Sequence, residues 1–350
     1  MTYPPDGKPS AARRTTLKDV AALSGVSPMT VSNVINGRMK GYNAETRDRV
    51  LTAAKRVNYR PDIAARSLRT DRRNAVGMLV VHDTSAFLTD PYIHTLLDGL
   101  CAGLNQHGYS MVLHGLSANE VGSAPLLRQR HGDGLCILMA GAFRAESRLA
   151  ETLLSLGQPV VLFQQSVVEV PDDIFVLRQD DFDGGYRLCQ HLIERGARRI
   201  AVVMPRPEWL AMNARLEGVR AAISASGTST EIDLVTAIDE TSVATQAALS
   251  GYLAEGHHFD AVIAGNDQMA IAVYRMLRAR GIRVPADVRL TGFNGFSMLD
   301  HFEAKLTTMR SPAFEIGMLG ALYLVRRIES GSFDVRSVLL PVDFVPGETT

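Results

Sequence analysis

The stretch Leu17-Lys-Asp-Val-Ala-Ala-Leu-Ser-Gly-Val-Ser-Pro-Met-Thr-Val-Ser-Asn-Val-Ile-Asn36 reads as two short helices joined by a tight turn. Thr16 followed three residues later by Asp19 has the form of a capping box and starts the first helix. Val20, Ala21 and Leu23 supply that helix with an apolar stripe. Gly25 can take the positive φ that a sharp turn between helices needs. Ser27 is a good N-cap, and Pro28 suits the first helical position, where a missing N–H costs nothing. Val31, Val34 and Ile35 then bury one side of the second helix. Pro28, Met29, Thr30, Ser32, Asn33 and Asn36 remain on the outside. They are small or uncharged, which suits contact with base edges and phosphates in a major groove. Shape alone does not separate this hairpin from an ordinary helical pair with a solvated face.

Working outward, residues 43–60 read as a third helix, capped by Asn43 and stopped before Pro61, followed by Asp62-Ile-Ala-Ala-Arg-Ser-Leu-Arg-Thr70. LKDVAALSGVS, TVSNVING, ETRDRVLTAA and NYRPDIAARSLR together closely resemble the DNA-binding region of the lac repressor family (LacI/GalR). The motifs are long, ordered and collinear over about sixty residues, and the resemblance runs on to the C-terminus. It implies operator contacts from Thr16, Leu17, Ser27, Pro28, Met29, Thr30, Ser32, Asn33 and Asn36, with Met29 and Asn33 as the base readers. It also implies a hinge helix over residues 62–69 that folds in the minor groove against its dimer mate. There Ala65 permits close approach, Arg66 reaches phosphate and Leu68 wedges between base pairs.

Charge points the same way independently. Residues 1–73 hold 15 Lys and Arg against 6 Asp and Glu, a net of +9, whereas the whole chain holds 37 of each. A neutral total therefore hides a basic head on an acidic body of net −9. A basic head is the electrostatic footprint of phosphate binding, and an acidic body stays off DNA. No run of 18 apolar residues exists, so no membrane span is expected. The first residues lack a charged region followed by an apolar one, so a secretory leader is not expected either and a cytoplasmic protein is. Residues 1–14 are polar and expected to be disordered. Cys101, Cys136 and Cys189 are odd in number and far apart, and each sits in an apolar segment, the pattern of reduced core thiols. No metal-ligand spacing, nucleophile elbow, phosphate loop or dinucleotide fingerprint occurs, so no metal, cofactor or catalytic residue is assigned.

From residue 75 the chain alternates short apolar runs (76–81, 111–113, 135–139, 159–163, 175–177, 199–203, 261–264 and 288–293) with helix-length amphipathic segments. Continuous apolar strands separated by helices imply parallel sheets covered on both faces. The number of units predicts two doubly wound subdomains, which resembles the periplasmic-binding-protein-like core that the family shares. The expected organisation is an all-α helix-turn-helix DNA-binding head over residues 15–60, a hinge helix and linker over 61–73, and an α/β effector-binding and dimerisation core over 74–350. Within that core the chain crosses between subdomains near 172, 308 and 341, giving one subdomain of 74–172 and 309–341 and a second of 173–308 and 342–350.

A ligand in such a core lies at the C-terminal ends of the strands, in the cleft. The resemblance places Arg215, Asn266, Asp267, Asn294 and Gln164 there, with Tyr92, Ile93 and Leu96 on the opposite face. The plainer alternatives are helix packing for Tyr92 and Leu96, a surface or Glu217-paired arginine for Arg215, and a helix cap for Asp267. Gln164 and Asn294 are neutral where sugar-binding members usually carry a carboxylate. Arg215 then has few negative partners, which favours an anionic, sugar-acid effector. The expected protein is a homodimer on a roughly palindromic operator, a repressor gated by a carbohydrate-like small molecule. No heptad follows residues 338–350, so a tetramer-forming helix is not expected. A protein-controlled member, an activator, a periplasmic solute-binding protein and an enzyme on the same scaffold are the rivals.

Overall fold

A computed structural model describes residues 15–38, 41–60, 72–82, 87–117, 120, 132–139, 156–165, 170–206 and 209–350. The expected extension over 1–14 and the hinge helix over 62–69 lie outside these residues. The chain divides into two compact units, one up to Arg73 and one from Asn74.

The first unit holds three helices, α1 (Leu17–Ser24), α2 (Pro28–Ile35) and α3 (Ala44–Arg56). Each begins on a side-chain cap. Thr16 and Asp19 form a full capping box, Ser27 accepts from the Thr30 N–H, and Asn43 accepts from the Thr46 N–H. Gly25 closes α1 at φ 67°. Val20, Ala21, Val31, Val34, Val50 and Ala53 make the shared core. Leu23 is not part of it: the side chain is 51% exposed, and Leu17 and Ser24 take the inward positions of α1. α3 stops at Arg56, four residues short of the expected end. Asn58 takes φ 47°, its N–H bonds to the Lys55 carbonyl and that of Tyr59 to the Ala54 carbonyl, a left-handed stop that consumes the last free carbonyls.

The second unit runs β1 (Ala75–Val81), α4 (Pro91–Gln106), β2 (Ser110–Leu116), β3 (Gly134–Met139), β4 (Val160–Phe163), β5 (Ile174–Gln179), α5 (Asp181–Glu194) and β6 (Arg199–Pro205). It continues through α6 (Leu210–Ser226), β7 (Glu231–Ala237), α7 (Ser242–Ala254), β8 (Ala261–Ala264), α8 (Asp267–Ala279) and β9 (Arg289–Thr291). β10 (Thr308–Arg310), α9 (Ala313–Ser330), β11 (Ser337–Leu340) and β12 (Asp343–Val345) complete it. The strands form a six-stranded parallel sheet in the order β11-β5-β4-β3-β1-β2 and a four-stranded parallel sheet in the order β7-β6-β8-β9. β10 and β12 pair antiparallel beside them. Alternate residues of each central strand enter separate cores. In β6, Ala201 and Val203 face one core, while Ile200, Val202 and Met204 face the other.

The first crossing differs from expectation. β5 pairs with β4 and β11, so it belongs to the first sheet, and the chain crosses after Gln179 rather than near 172. The later crossings fall between β10 and α9, and between β11 and β12. The strand β7 went unread because it is a sheet edge, with only Val235 and Ala237 buried. Two helix pairs close the subdomains through glycines. A Cβ on Gly99 of α4 would overlap the Phe314 carbonyl, and one on Gly317 of α9 would overlap that of Leu96. In the same way Gly185 of α5 meets the Arg215 carbonyl and Gly218 of α6 meets that of Phe182.

Candidate functional site

The head presents the outer side of α2. Met29 is 63% exposed, Pro28 and Asn36 are exposed, and Thr30 and Asn33 are half-buried beside them. Ser32 departs from the expected face. It is buried, and its Oγ accepts from the Asn36 Nδ2 at 3.3 Å. A helix of eight residues gives few turns from which to fix the phase, and one residue of error moves a side chain by 100°. Thr16 and Ser27 are committed to their caps, accepting from the Asp19 and Thr30 N–H groups, and Leu17 is half-buried against the head core. Ala65, Arg66 and Leu68 lie outside the described residues.

In the second unit a cleft opens at the C-terminal ends of the strands. Asp90, Tyr92, Leu138, Met139, Gln164 and Gln179 line it from the first subdomain. Trp209, Leu210, Ala211, Met212, Arg215, Glu240, Asn266 and Asn294 line it from the second.

Arg215 is the centre of this wall. Its side chain is 5% exposed. Nε donates to the Asp181 Oδ1 at 2.8 Å, Nη1 to the Gly265 carbonyl at 2.6 Å and Nη2 to the Asn294 Oδ1 at 3.4 Å. The guanidinium carbon lies 3.6 Å from the centroid of the Phe293 ring, an arrangement that adds cation–π attraction. The arginine is therefore neither a surface group nor a partner of Glu217, and the premise that it has few negative partners is corrected. Asp181 is equally buried and also accepts from the Gln179 Nε2 at 2.8 Å. Burial pushes the Asp181 carboxyl up, and Arg215 opposes that shift.

The remaining polar wall is ordered by its own hydrogen bonds. Gln164, at φ 55°, donates to the Tyr92 Oη at 2.6 Å and accepts from the Gln179 N–H at 3.1 Å. Asn266 caps α8 by accepting from the Met269 N–H at 2.9 Å, and its Nδ2 donates to the Glu240 Oε2 at 2.7 Å. Burial and the nearby Asp90 push Glu240 up to about 7, against the pull of Asn266. Burial likewise raises Asp90, opposed first by the Tyr92 N–H.

Three expected ligand contacts lie elsewhere. Ile93 and Leu96 are fully buried in the first hydrophobic core, on the inward side of α4. Asp267 neither caps α8 nor lines the cleft. It accepts from the Gly295 N–H at 2.6 Å and the Thr308 Oγ1 at 2.7 Å, bracing the turn that carries Asn294 at φ 112°. Burial pushes Asp267 up to about 7, with the Thr308 bond opposing. Sequence reasoning missed Asp90, Asp181, Trp209 and Glu240. Trp209 could have been noticed as the single tryptophan. Its Nε1 is buried with no hydrogen-bond partner among the described residues. Cys136 and Cys189 are buried, and burial raises both thiols, to about 12 for Cys189. Among the described residues no acidic, histidine and cysteine cluster could hold a metal, and no helix is long and apolar enough to cross a membrane.

Residues 16–62 match the family described as bacterial regulatory proteins, lacI family, and residues 189–350 match the periplasmic binding protein-like domain. The chain is 33% identical to the HTH-type transcriptional regulator CelR of Thermobifida fusca over 332 residues, 93% of this chain and 96% of that protein. It is 29% identical to the ribose operon repressor of Escherichia coli (strain K12) over 316 residues, 89% of this chain and 93% of the repressor. The solved complex of the regulator CelR with cellobiose superposes with a TM-score of 0.70 at 30% identity, covering 96% of this chain and 100% of that one. The lac repressor dimer bound to operator and an anti-inducer superposes at 0.82 with 23% identity, covering 97% and 99%, a likeness of fold.

Proposed function

The chain belongs to the lacI family of DNA-binding transcriptional regulators, and from that premise we propose that it is a homodimeric repressor released from or seated on its operator by a neutral, hydroxyl-rich carbohydrate bound in the cleft around Arg215. The observation that carries the ligand chemistry is the Arg215–Asp181 pair at 2.8 Å. Among the described residues the one cation of the wall, Arg215, is already met by a carboxylate, and Asp90 and Glu240 line the same wall. A sugar hydroxyl can accept from the guanidinium and donate to a carboxylate at once. A sugar acid brings a further negative charge to acidic neighbours, so the neutral sugar is favoured over the acid that Gln164 and Asn294 had suggested. Trp209 supplies an aromatic wall for the apolar face of a ring. The cellobiose complex of the regulator CelR and the ribose complex of an Enterococcus faecium family member support a sugar as the ligand class.

On DNA, Met29 and Asn33 read base edges from α2 while the N-termini of α1 and α2 meet phosphates. One such helix spans a half-site, so two copies on a roughly palindromic site complete the recognition. The effector acts by binding the two arrangements of the body unequally, a coupling of about 1–3 kcal/mol.

The test selects the operator from a randomised duplex library, then measures operator affinity by fluorescence anisotropy with cellobiose, ribose, cellobionate and ribonate. A change of about fivefold or more with a neutral sugar is the expected result. A response to the aldonates alone overturns the ligand class, and operator binding indifferent to every sugar overturns carbohydrate control.

A further inference from the structure

We infer that Asp181 sets the charge selectivity of the cleft: by holding Arg215 as a neutral pair it makes the pocket choose uncharged ligands, and removing its charge alone converts the same pocket into an anion site. The inference rests on the cleft being the effector site.

Asp181 stands outside the cleft wall, behind Arg215, so it acts through the arginine rather than on the ligand. It is the first residue of α5, where the helix dipole favours a negative charge. Its Oδ1 accepts both the Arg215 Nε and the Gln179 Nε2 bonds at 2.8 Å. An asparagine substitution therefore keeps both acceptor bonds and the shape of the wall while deleting one charge. The guanidinium cannot lose its proton. With Asp181 present, the pair contributes no net charge and offers an incoming carboxylate or phosphate no uncompensated cation. Without it, a permanent cation is left at the cleft wall. Its best remaining partner is then an anionic oxygen on the ligand, because an unmatched buried charge is costly. Asn294 offers the reverse control. Its Oδ1 already receives the Arg215 Nη2 at 3.4 Å, so a carboxylate there returns the missing charge from the other side of the guanidinium.

The experiment uses the full chain and two readouts, at constant ionic strength. Calorimetry gives the ratio of affinities within the pairs cellobiose and cellobionate, ribose and ribonate. Thermal melting gives the response to inorganic phosphate, which needs no sugar to bind. The unsubstituted protein is expected to prefer the neutral member and to show no phosphate-dependent rise in Tm. Asp181→Asn is expected to shift the acid-to-neutral ratio toward the acid by about tenfold or more and to gain a saturable phosphate stabilisation. Asp181→Asn combined with Asn294→Asp is expected to restore the original ratio. The inference is overturned if the unsubstituted protein already binds the acids or phosphate better than the sugars, a result that needs no folded variant. It is also overturned if Asp181→Asn melts cooperatively with its ratio unchanged. If no sugar binds while Asp181→Asn still gains phosphate stabilisation, the carbohydrate reading fails and the charge assignment stands.

Discussion

The two helix pairs of the body use one packing device to different ends. α4 and α9 approach through Gly99 and Gly317, and α5 and α6 through Gly185 and Gly218, each glycine lying against a carbonyl of the opposite helix. The first seam is surrounded by Leu96, Leu100, Leu104, Ile316 and Leu324, all buried, and it holds the six-stranded subdomain together by apolar contact. Full burial of each such side chain contributes about 1.5–3 kcal/mol. The second seam carries Asp181 one turn before Gly185 and Arg215 one turn before Gly218. Close approach there places opposite charges 2.8 Å apart, away from water. The same glycine seam is thus a passive joint in one subdomain and the mount of a buried ion pair in the other.

The largest expected effect separates the two seams by charge. Arg215→Met leaves Asp181 buried without its cation and should destabilise the body by about 3–5 kcal/mol, read as a lower urea midpoint. Adding Asp181→Leu should recover most of that loss, and no recovery would show that the pair is not what the substitution removed. Next come the glycines. Gly185→Ala and Gly317→Ala should each cost about 1–3 kcal/mol by overpacking. Gly185→Ala alone should also weaken sugar binding in calorimetry, because its added methyl meets the Arg215 backbone. Equal loss of binding in both variants would break the comparison. The smallest effect concerns pH. Glu240 ordinarily titrates near 4.5 and is pushed up to about 7 here, so between those values the folded chain holds a proton that the unfolded chain has released. The contribution of Glu240 to stability is therefore full below about 4.5 and is lost as pH rises to about 7. Glu240→Gln should flatten that slope by about 1–2 kcal/mol between pH 5 and pH 8, measured as urea midpoints, whereas a carboxyl-free site in the first seam should leave it unchanged.

The head was legible because its signals are local. Thr16 with Asp19, Gly25, Ser27 with Pro28, and Asn43 with Thr46 all act within three residues, and each does in the structure what the pattern predicts. Its two errors, Leu23 and Ser32, are errors of helical phase in eight-residue helices. Central strands were legible because burial on both faces leaves continuous apolar runs. β5 was assigned to the wrong sheet for the same reason, since a doubly buried strand reads alike in either one. In the cleft, Tyr92, Gln164, Arg215, Asn266 and Asn294 were placed by resemblance to the family. The groups that give them their chemistry were not. Asp181 meets Arg215 across 34 positions of sequence, and Glu240 meets Asn266 across 26. Nothing in the local pattern of an Asp after a strand tells which distant arginine it will neutralise.

The glycine seams join backbone to backbone, so none of the wall residues at the strand ends is a structural member of them. Trp209, Leu210 and Gln164 lie off those contacts, so a change at any of them leaves the backbone joints themselves intact. A protein built this way can change the lining of its cleft through single substitutions while both helix joints stay closed. For the same reason, its wall is the place to randomise when reprogramming it as a biosensor, and its glycines are the positions to leave alone.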